Sequence, residues 1–384
     1  MLKGIVVVDF SRVLAGPLCT QLLADWGARV IKIEEPQRGD ETRRWGPPFV
    51  SNISTYFLAV NRDKESVAVN LKTPEGAEIA RRLVERADVV VDNFLRTQKL
   101  LPKIPSRAIH CTIRGFDSDT PERDTPGYDL LAQAGSGLMS ITGEPDGDPM
   151  KIGVALSDVV TAHYAFGAIA TALFNRERTG KGATLEISLF SASVASLVNV
   201  AQSVLITRKE AKRYGNAHSS IVPYQLFHAS DRPFAIGAGT DRHFQLLCMR
   251  VLRRDDLAAD PRFTTNEHRV KNRAALIRIL ERQFRSARAS QWIARCKRAS
   301  IPASLVRGVR EALHTPAGRA LIDTIEHPQI GPYEAVRNPV RSNGLRRSLG
   351  TPPPALGQHT DSVLTELGFD RGEIRRFRDS AVIG

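Results

Sequence analysis

From about residue 4 to residue 115 the sequence alternates short β-branched runs with stretches of helical spacing, and no other feature restricts the fold as strongly. Residues 5–10 read as a strand, residues 20–26 as a helix stopped by Gly27, and residues 29–33 as a second strand. Residues 67–71 alternate like a strand. The sequence Thr73-Pro74-Glu75-Gly76 then opens a helix, with Thr73 as N-cap and Pro74 in the first turn. That helix covers 77–86, followed by strand-like runs at 88–91 and 108–113. Alternation of this kind builds a parallel sheet covered by helices, because each crossover helix must bury its apolar stripe against the sheet.

Beyond it, residues 135–153 are rich in Gly, Pro and Asp and read as loop. A long helix of small residues is expected over 159–178, a strand over 185–188, and a single apolar helix over 190–206. Such a charge-poor helix belongs in the interior or at a subunit interface. Residues 223–238 read as two strands around Ser230-Asp231-Arg232-Pro233, with Arg-rich helices following to about residue 299. Residues 328–354 are punctuated by Pro and Gly and read as an extended connection. Residues 361–384 read as two amphipathic helices. The segments divide as 1–205, an α/β part built on the parallel sheet, 215–325, a small α+β domain, and 326–384, a linker followed by the closing helices.

Composition excludes several classes. No apolar run approaches the roughly 18–20 residues of a membrane span, so no membrane association is expected. The opening ten residues turn polar too soon for a signal peptide and read as a strand. Four widely spaced cysteines, Cys19, Cys111, Cys248 and Cys296, offer neither a disulfide framework nor zinc spacing, which suits reduced thiols in a cytoplasmic protein. The formal net charge is +13, from 54 basic and 41 acidic residues. The basic residues are scattered, mostly Arg, and not interleaved with aromatics, so nucleic acid is not expected as a partner. An Arg-rich surface or a small polyanionic ligand accounts for them. The P-loop, GxGxxG, HExxH and GxSxG patterns are all missing.

Two features carry chemistry. Asp9-Phe10-Ser11-Arg12-Val13-Leu14-Ala15-Gly16-Pro17 follows the first strand directly, where open α/β sheets place ligands. Ser157-Asp158 lies between a Gly-rich loop and a helix, where an Asp serves either as a cap or as a covalent nucleophile.

Together with Gly27-Ala28-Arg29-Val30-Ile31-Lys32-Ile33-Glu34, Gly39-Asp40-Glu41-Thr42-Arg43, Asn61-Arg62-Asp63-Lys64, Asp92-Asn93-Phe94, Pro126-Gly127-Tyr128-Asp129 and Gly215-Asn216-Ala217-His218, these features resemble the family III CoA-transferases. The likeness runs in order along almost the whole chain, to Pro352-Pro353-Pro354-Ala355-Leu356-Gly357. The resemblance implies an α/β fold with a Rossmann-like large domain built from the N-terminal part, 1–205, and the C-terminal part within 326–384, plus a small α+β domain, 215–325, in a homodimer of interlocked rings. It implies an acyl-CoA:carboxylate CoA-transferase with acyl-CoA and a carboxylic acid as substrates and no tightly bound cofactor or metal. By position, Asp158 is the implied nucleophile, passing through an aspartyl anhydride and an aspartyl-CoA thioester. A carboxylate with an ordinary pKa of about 3.9 would be ionised at neutral pH. The implied CoA contacts are Leu14, Ala15, Val69, Leu71, Lys72, Asn93, Phe94 and Tyr128, with Lys72 facing a phosphate. Glycine loops at 135–141 and 237–242 are expected to cover the thioester.

The sequence departs from the family in two places. The segment after Asn93 is short and lacks the usual Pro-Gly turn and CoA-binding Arg, leaving Arg96 or Lys99 as substitutes. Glu35 stands where some members carry an Arg. The related acyl-CoA racemases pair the Asp with a His thirty residues earlier. That position holds Tyr128, a poor base at pH 7, which favours transfer over racemisation. A non-catalytic CoA-binding protein is the remaining alternative. No cluster of Arg in the loops demands a dicarboxylate, and no aromatic cage suits a quaternary ammonium.

Overall fold

A computed structural model describes residues 1–384. The chain divides into two compact units. Residues 1–139, 151–209 and 320–384 form the first, and residues 140–150 and 210–319 the second. The boundaries differ from the sequence reading in two places. The Gly-rich segment 140–150 belongs to the second unit, where the Arg213 guanidinium donates to the carbonyls of Glu144 at 3.1 Å and Gly147 at 2.7 Å. Residues 320–325 belong to the first unit, as one arm of a hairpin.

The first unit holds a six-stranded sheet. Its elements are β1 (Val6–Asp9), α1 (Ala15–Asp25), β2 (Arg29–Glu34), β3 (Lys64–Ala68), α2 (Pro74–Arg86), β4 (Val89–Asp92), β5 (Ile109–Arg114), α3 (Asp129–Gly135), α4 (Leu156–Thr179) and β6 (Ala183–Ser188). All neighbouring strands are parallel, in the order β3-β2-β1-β4-β5-β6. That is the doubly wound Rossmann order, in which the chain reverses direction across the sheet between β1 and β4 and opens a crevice at their carboxyl ends. The hydrophobic runs Val6-Val7-Val8 and Val89-Val90-Val91 suit strands buried on both faces. Val7, Val30, Val89 and Val91 face α1 and α4, whereas Val8, Ile31, Ile33 and Val90 face α2 and the C-terminal helices. Thr73 caps α2 as expected, accepting from Gly76 N–H at 3.0 Å.

By length and composition α4 could span a bilayer, but its Ala162, Ala165, Ile169 and Leu173 are buried in the core. The apolar stretch after β6 is two helices rather than the single one expected: α5 (Leu189–Ser196) and α6 (Val198–Thr207), bent by 78°. The break falls where Val198 takes a left-handed φ of 41°. Residues 328–354 are not simply extended either, because β10 (Ile322–His327) pairs with β11 (Gly331–Val336) in an antiparallel hairpin. Helices α10 (Thr360–Glu366) and α11 (Arg371–Asp379) follow, and their Val363, Leu364 and Ile374 complete the second face of the parallel sheet.

The second unit has its own core, built from a three-stranded antiparallel sheet and several helices. Strands β7 (Tyr224–His228) and β8 (Pro233–Gly237) form the expected hairpin, and β9 (Ala303–Leu305) adds to β8. Helices α7 (Asp241–Leu246), α8 (Arg273–Phe284) and α9 (Ala289–Arg298) cover it. Phe227, Phe234, Phe284 and Trp292 pack as a tilted and edge-on aromatic cluster at its centre.

Candidate active site

The crevice between β1 and β4 is built by two loops that hold each other. After β4, the Asn93 side chain accepts from Arg12 N–H at 3.1 Å and donates to the Arg12 carbonyl at 2.8 Å. After β1, residues 10–15 are anchored from below by a buried charge network. Asp9 accepts from Ser11, Thr20 and Lys64. Lys32, fully buried, lies 2.9 Å from Asp40 and donates to the Ser11 carbonyl at 2.7 Å. Asp40 in turn accepts from Val13 N–H at 3.3 Å. Val13 sits at φ 74°, where a β-branched residue is strained, and the Asp40 contact helps hold it there. The charges suit the pairing. Burial alone would raise the Asp40 pKa, but Lys32 and the Thr42 contacts bring it down to about 2.

This loop presents Ala15 N–H to the carboxylate of Asp158. Asp158 occupies the first turn of α4, is 8% exposed, and makes no capping contact to its own helix. The cap is supplied from elsewhere. Asp129, at the start of α3, accepts from Ser157 N–H at 2.8 Å and from Gln133 at 2.8 Å. Ser157 is itself buried, accepting from Ser193 of α5 at 2.7 Å. Asp158 is therefore held in place with its carboxylate free of structural duty. Burial, followed by the nearby negative charge of Asp129, pushes its pKa up to about 7, against the pull of the Ala15 N–H. This corrects the expectation of an ordinary, fully ionised carboxylate: near neutral pH it is divided between the two forms. Tyr56 is a further neighbour. Burial, then the charges of Asp158 and Asp129, raises its hydroxyl to about 12, so it stays protonated.

Asp158 lines a cleft of about 190 Å³ together with Ala15, Asn93, Phe94 and Tyr128. Tyr128 is 52% exposed. Gly115 and Gly127 line the same cleft and touch backbone to backbone; a Cβ on Gly127 would lie 2.2 Å from the Gly115 Cα. A second cleft of about 210 Å³ contains Val69, Leu71 and Lys72, and Arg12 and Phe94 line both. Seven of the eight expected CoA contacts thus line one or other of these two clefts, which meet at Arg12 and Phe94. Leu14 lies outside both, buried at the N-cap of α1. Glu35 lines the second cleft. Of the two proposed substitutes in the shortened segment, Arg96 lines the first cleft, and Lys99 lines neither.

Sequence reasoning missed two things here. One is the role of Asp129, visible in the sequence only as a neighbour of Tyr128. The other is an arginine set: Arg12, Arg96, Arg114 and Arg123 converge on the Asp158 cleft from four separate loops and strand ends. Arg114 is braced by Glu186 at 3.2 Å and the Phe94 carbonyl at 3.1 Å, while Arg12 pairs with Glu41 at 3.2 Å and keeps a buried, unpartnered Nε. No cluster of metal-ligating side chains exists. Of the expected covering loops, Gly135 ends α3, Gly237 ends β8, and Thr240 caps α7, accepting from His243 N–H at 3.1 Å.

The model of CoA-transferase family III matches residues 2–360. The chain belongs to that family. It is 41% identical over 393 aligned positions to a mouse protein named succinyl-CoA:glutarate CoA-transferase, covering 100% of this chain and 90% of that one. A succinate–glutarate CoA-transferase of Agrobacterium fabrum is 38% identical, with 95% of each chain covered. Among solved structures, a CaiB/BaiF family protein from Brucella suis superposes with a TM-score of 0.83 at 39% identity, over 95% of this chain and 99% of that one. As a CoA-transferase the chain is an enzyme acting on CoA thioesters, and its parallel-sheet α/β fold is the family's.

Proposed function

We propose that this enzyme moves CoA from a short dicarboxylic acyl-CoA to a short dicarboxylate, with Asp158 as the nucleophile. The observation that carries the reading is Asp158 itself, a buried carboxylate free of capping duty that opens onto a cleft with four arginines. The names of the similar proteins, succinate and glutarate CoA-transferases, support the substrate class.

The chemistry balances through one carboxylate. The Asp158 anion attacks the donor's thioester carbonyl, the C–S bond breaks, and CoA thiolate leaves an acyl-aspartyl anhydride. The thiolate attacks the Asp158 carbonyl carbon, expels the donor carboxylate, and forms an aspartyl-CoA thioester. The acceptor carboxylate attacks that thioester and displaces the thiolate. The thiolate then takes the acceptor's acyl carbon and restores Asp158. A cleft arginine would hold the distal carboxylate of either acid by a charge-assisted pair. The groove through Val69, Leu71, Lys72, Asn93 and Phe94 would take CoA, and Tyr128 would border the thioester. Asn93 is engaged with the Arg12 backbone on both sides of its amide, so its role would be to shape the groove.

We extend the reading to assembly as an interlocked homodimer. The apolar side chains left exposed on α4 and α6, among them Phe174, Val198 and Ile206, support it.

The test uses wild type and Asp158→Ala with succinyl-CoA and a panel of mono- and dicarboxylic acids, read by mass spectrometry of the CoA esters. Transfer to dicarboxylates, lost in Asp158→Ala, is expected, and hydroxylamine should trap a hydroxamate on Asp158 in the wild type. Full transfer in the variant would sink the nucleophile assignment, and preference for monocarboxylates would sink the substrate class. Deuterium uptake at the α-carbon in heavy water would instead favour racemisation.

A further inference from the structure

The second unit carries a feature that CoA transfer does not use. A concavity of about 370 Å³ is lined by Arg250, Arg253, Arg295, Arg298 and Ala299, with no acidic or apolar side chain among them apart from the alanine. It shares no residue with the Asp158 groove.

Local structure explains each arginine singly. Arg250 lies in the π-helical turn Leu247–Leu252 and Arg253 is its C-cap, at φ 57°. Arg295 and Arg298 are in the last turn of α9. Cations at helix C-termini are favoured by the carbonyl dipoles, by roughly 0.3–1 kcal/mol each. That effect does not explain why two helix ends bring their arginines to one hollow. Some arginines of the unit are paired with acids, Arg254 with Asp256 at 2.6 Å, Arg262 with Asp260 at 2.7 Å and Arg232 with Glu311 at 2.9 Å, while others, such as Arg278 and Arg282, are exposed singly. The four in the concavity pair with no carboxylate. Arg295 is instead fixed by stacking on the buried Trp292, 4.6 Å from its ring centre, which leaves its guanidinium donors available. Four like charges around one hollow repel each other and are relieved by a polyvalent anion. Guanidinium forks fit phosphate oxygens in pairs. The volume lies in the range of small-molecule sites, roughly 300–1,000 Å³.

We infer that this concavity is a binding site for a small polyphosphate anion, the pyrophosphate moiety being the recognised chemistry. That moiety occurs free, as inorganic pyrophosphate, or within a nucleoside diphosphate.

The experiment titrates the full chain with inorganic pyrophosphate at low ionic strength by calorimetry, in wild type and in Arg253→Gln/Arg298→Gln. Both substituted side chains are exposed, and CoA transfer and the thermal midpoint report that the variant is folded. The expected result is that the variant binds one pyrophosphate fewer per chain, or binds it at least about tenfold more weakly per guanidinium removed, with CoA transfer unchanged. Arg250→Gln/Arg295→Gln should behave alike. ADP arms separate the sources: tighter binding than pyrophosphate assigns the site to a nucleotide, and equal binding to the phosphates alone. Identical titrations of wild type and both variants would overturn the proposal. So would preferential binding of an RNA oligonucleotide whose affinity rises with its length, since that marks an extended basic surface.

Discussion

At the scale of single residues, the proposed chemistry turns on why Asp158 is not an ordinary aspartate. Burial and the charge of Asp129 raise its pKa to about 7, so the anion that the proposed mechanism needs forms only as pH rises through neutrality. The expected profile of kcat/KM rises with pH below about 7 and levels above it. Asp129→Asn keeps an oxygen for the Ser157 N–H but removes the charge. It should move the midpoint to lower pH, and an unmoved midpoint would show that Asp129 acts on the helix alone. The same shift has a stability sign. A carboxyl whose pKa is higher in the folded than in the unfolded chain loses stability as pH rises from about 4 to about 7. Asp158→Asn should therefore melt higher than wild type at pH 8 and lose that advantage below pH 4, as thermal melts across pH would show.

Among elements, the decisive one is the β1–α1 loop, because it delivers Ala15 to Asp158, the proposed nucleophile, while Val13 is strained. Its shape depends on Lys32 and Asp40, which are far from it in sequence. Asp40→Asn leaves the buried Lys32 ammonium without its ion-pair partner at 2.9 Å, and removing one member of a buried pair costs about 3 kcal/mol or more. A lower urea midpoint and a reduced kcat are expected together, since the Lys32–Asp40 anchor beneath the loop loses its charge pairing. An unchanged kcat would mean that the loop holds itself. The wild-type Asp40 contribution, with a folded pKa of about 2, is present above about pH 4 and lost as pH falls towards 2. Acid melts of the variant should lack that component. Some of these elements were plain in the sequence and some were not. Thr73 and Pro74 declare the start of α2 because cap chemistry is local. The break at Val198 has no Gly or Pro to announce it, so 190–206 reads as one helix. Strand β3 covers 64–68 rather than 67–71 because its first residue, Lys64, is a buried charge, which no alternation pattern anticipates.

For the whole molecule, the proposed interlocked dimer makes a direct prediction. Sedimentation at nanomolar concentration should give about twice the 42.3 kDa chain mass, because threaded rings cannot part without partial unfolding. A stable folded monomer would argue against the interlock. Truncating the exposed apolar surface, for example Val198→Ser with Ile206→Ser, should weaken assembly before it affects the sheet, since neither side chain is in the core.

The strand–helix alternation, the β1 loop and the placement of Asp158 were legible in the sequence because each depends on neighbours within a few residues or on an ordered set of motifs. The sequence also located Val69, Leu71, Lys72, Asn93 and Phe94, which lie at or just after strand ends where a parallel sheet must open its crevice. What required the tertiary structure was everything set by approach through space. The raised pKa of Asp158 comes from burial and from a carboxylate twenty-nine positions earlier. The four arginines of the cleft come from separate connections, and the four of the second unit from two helix ends that meet. Electrostatic energy depends on distance and on exclusion of water, and chain order specifies neither until the fold is complete.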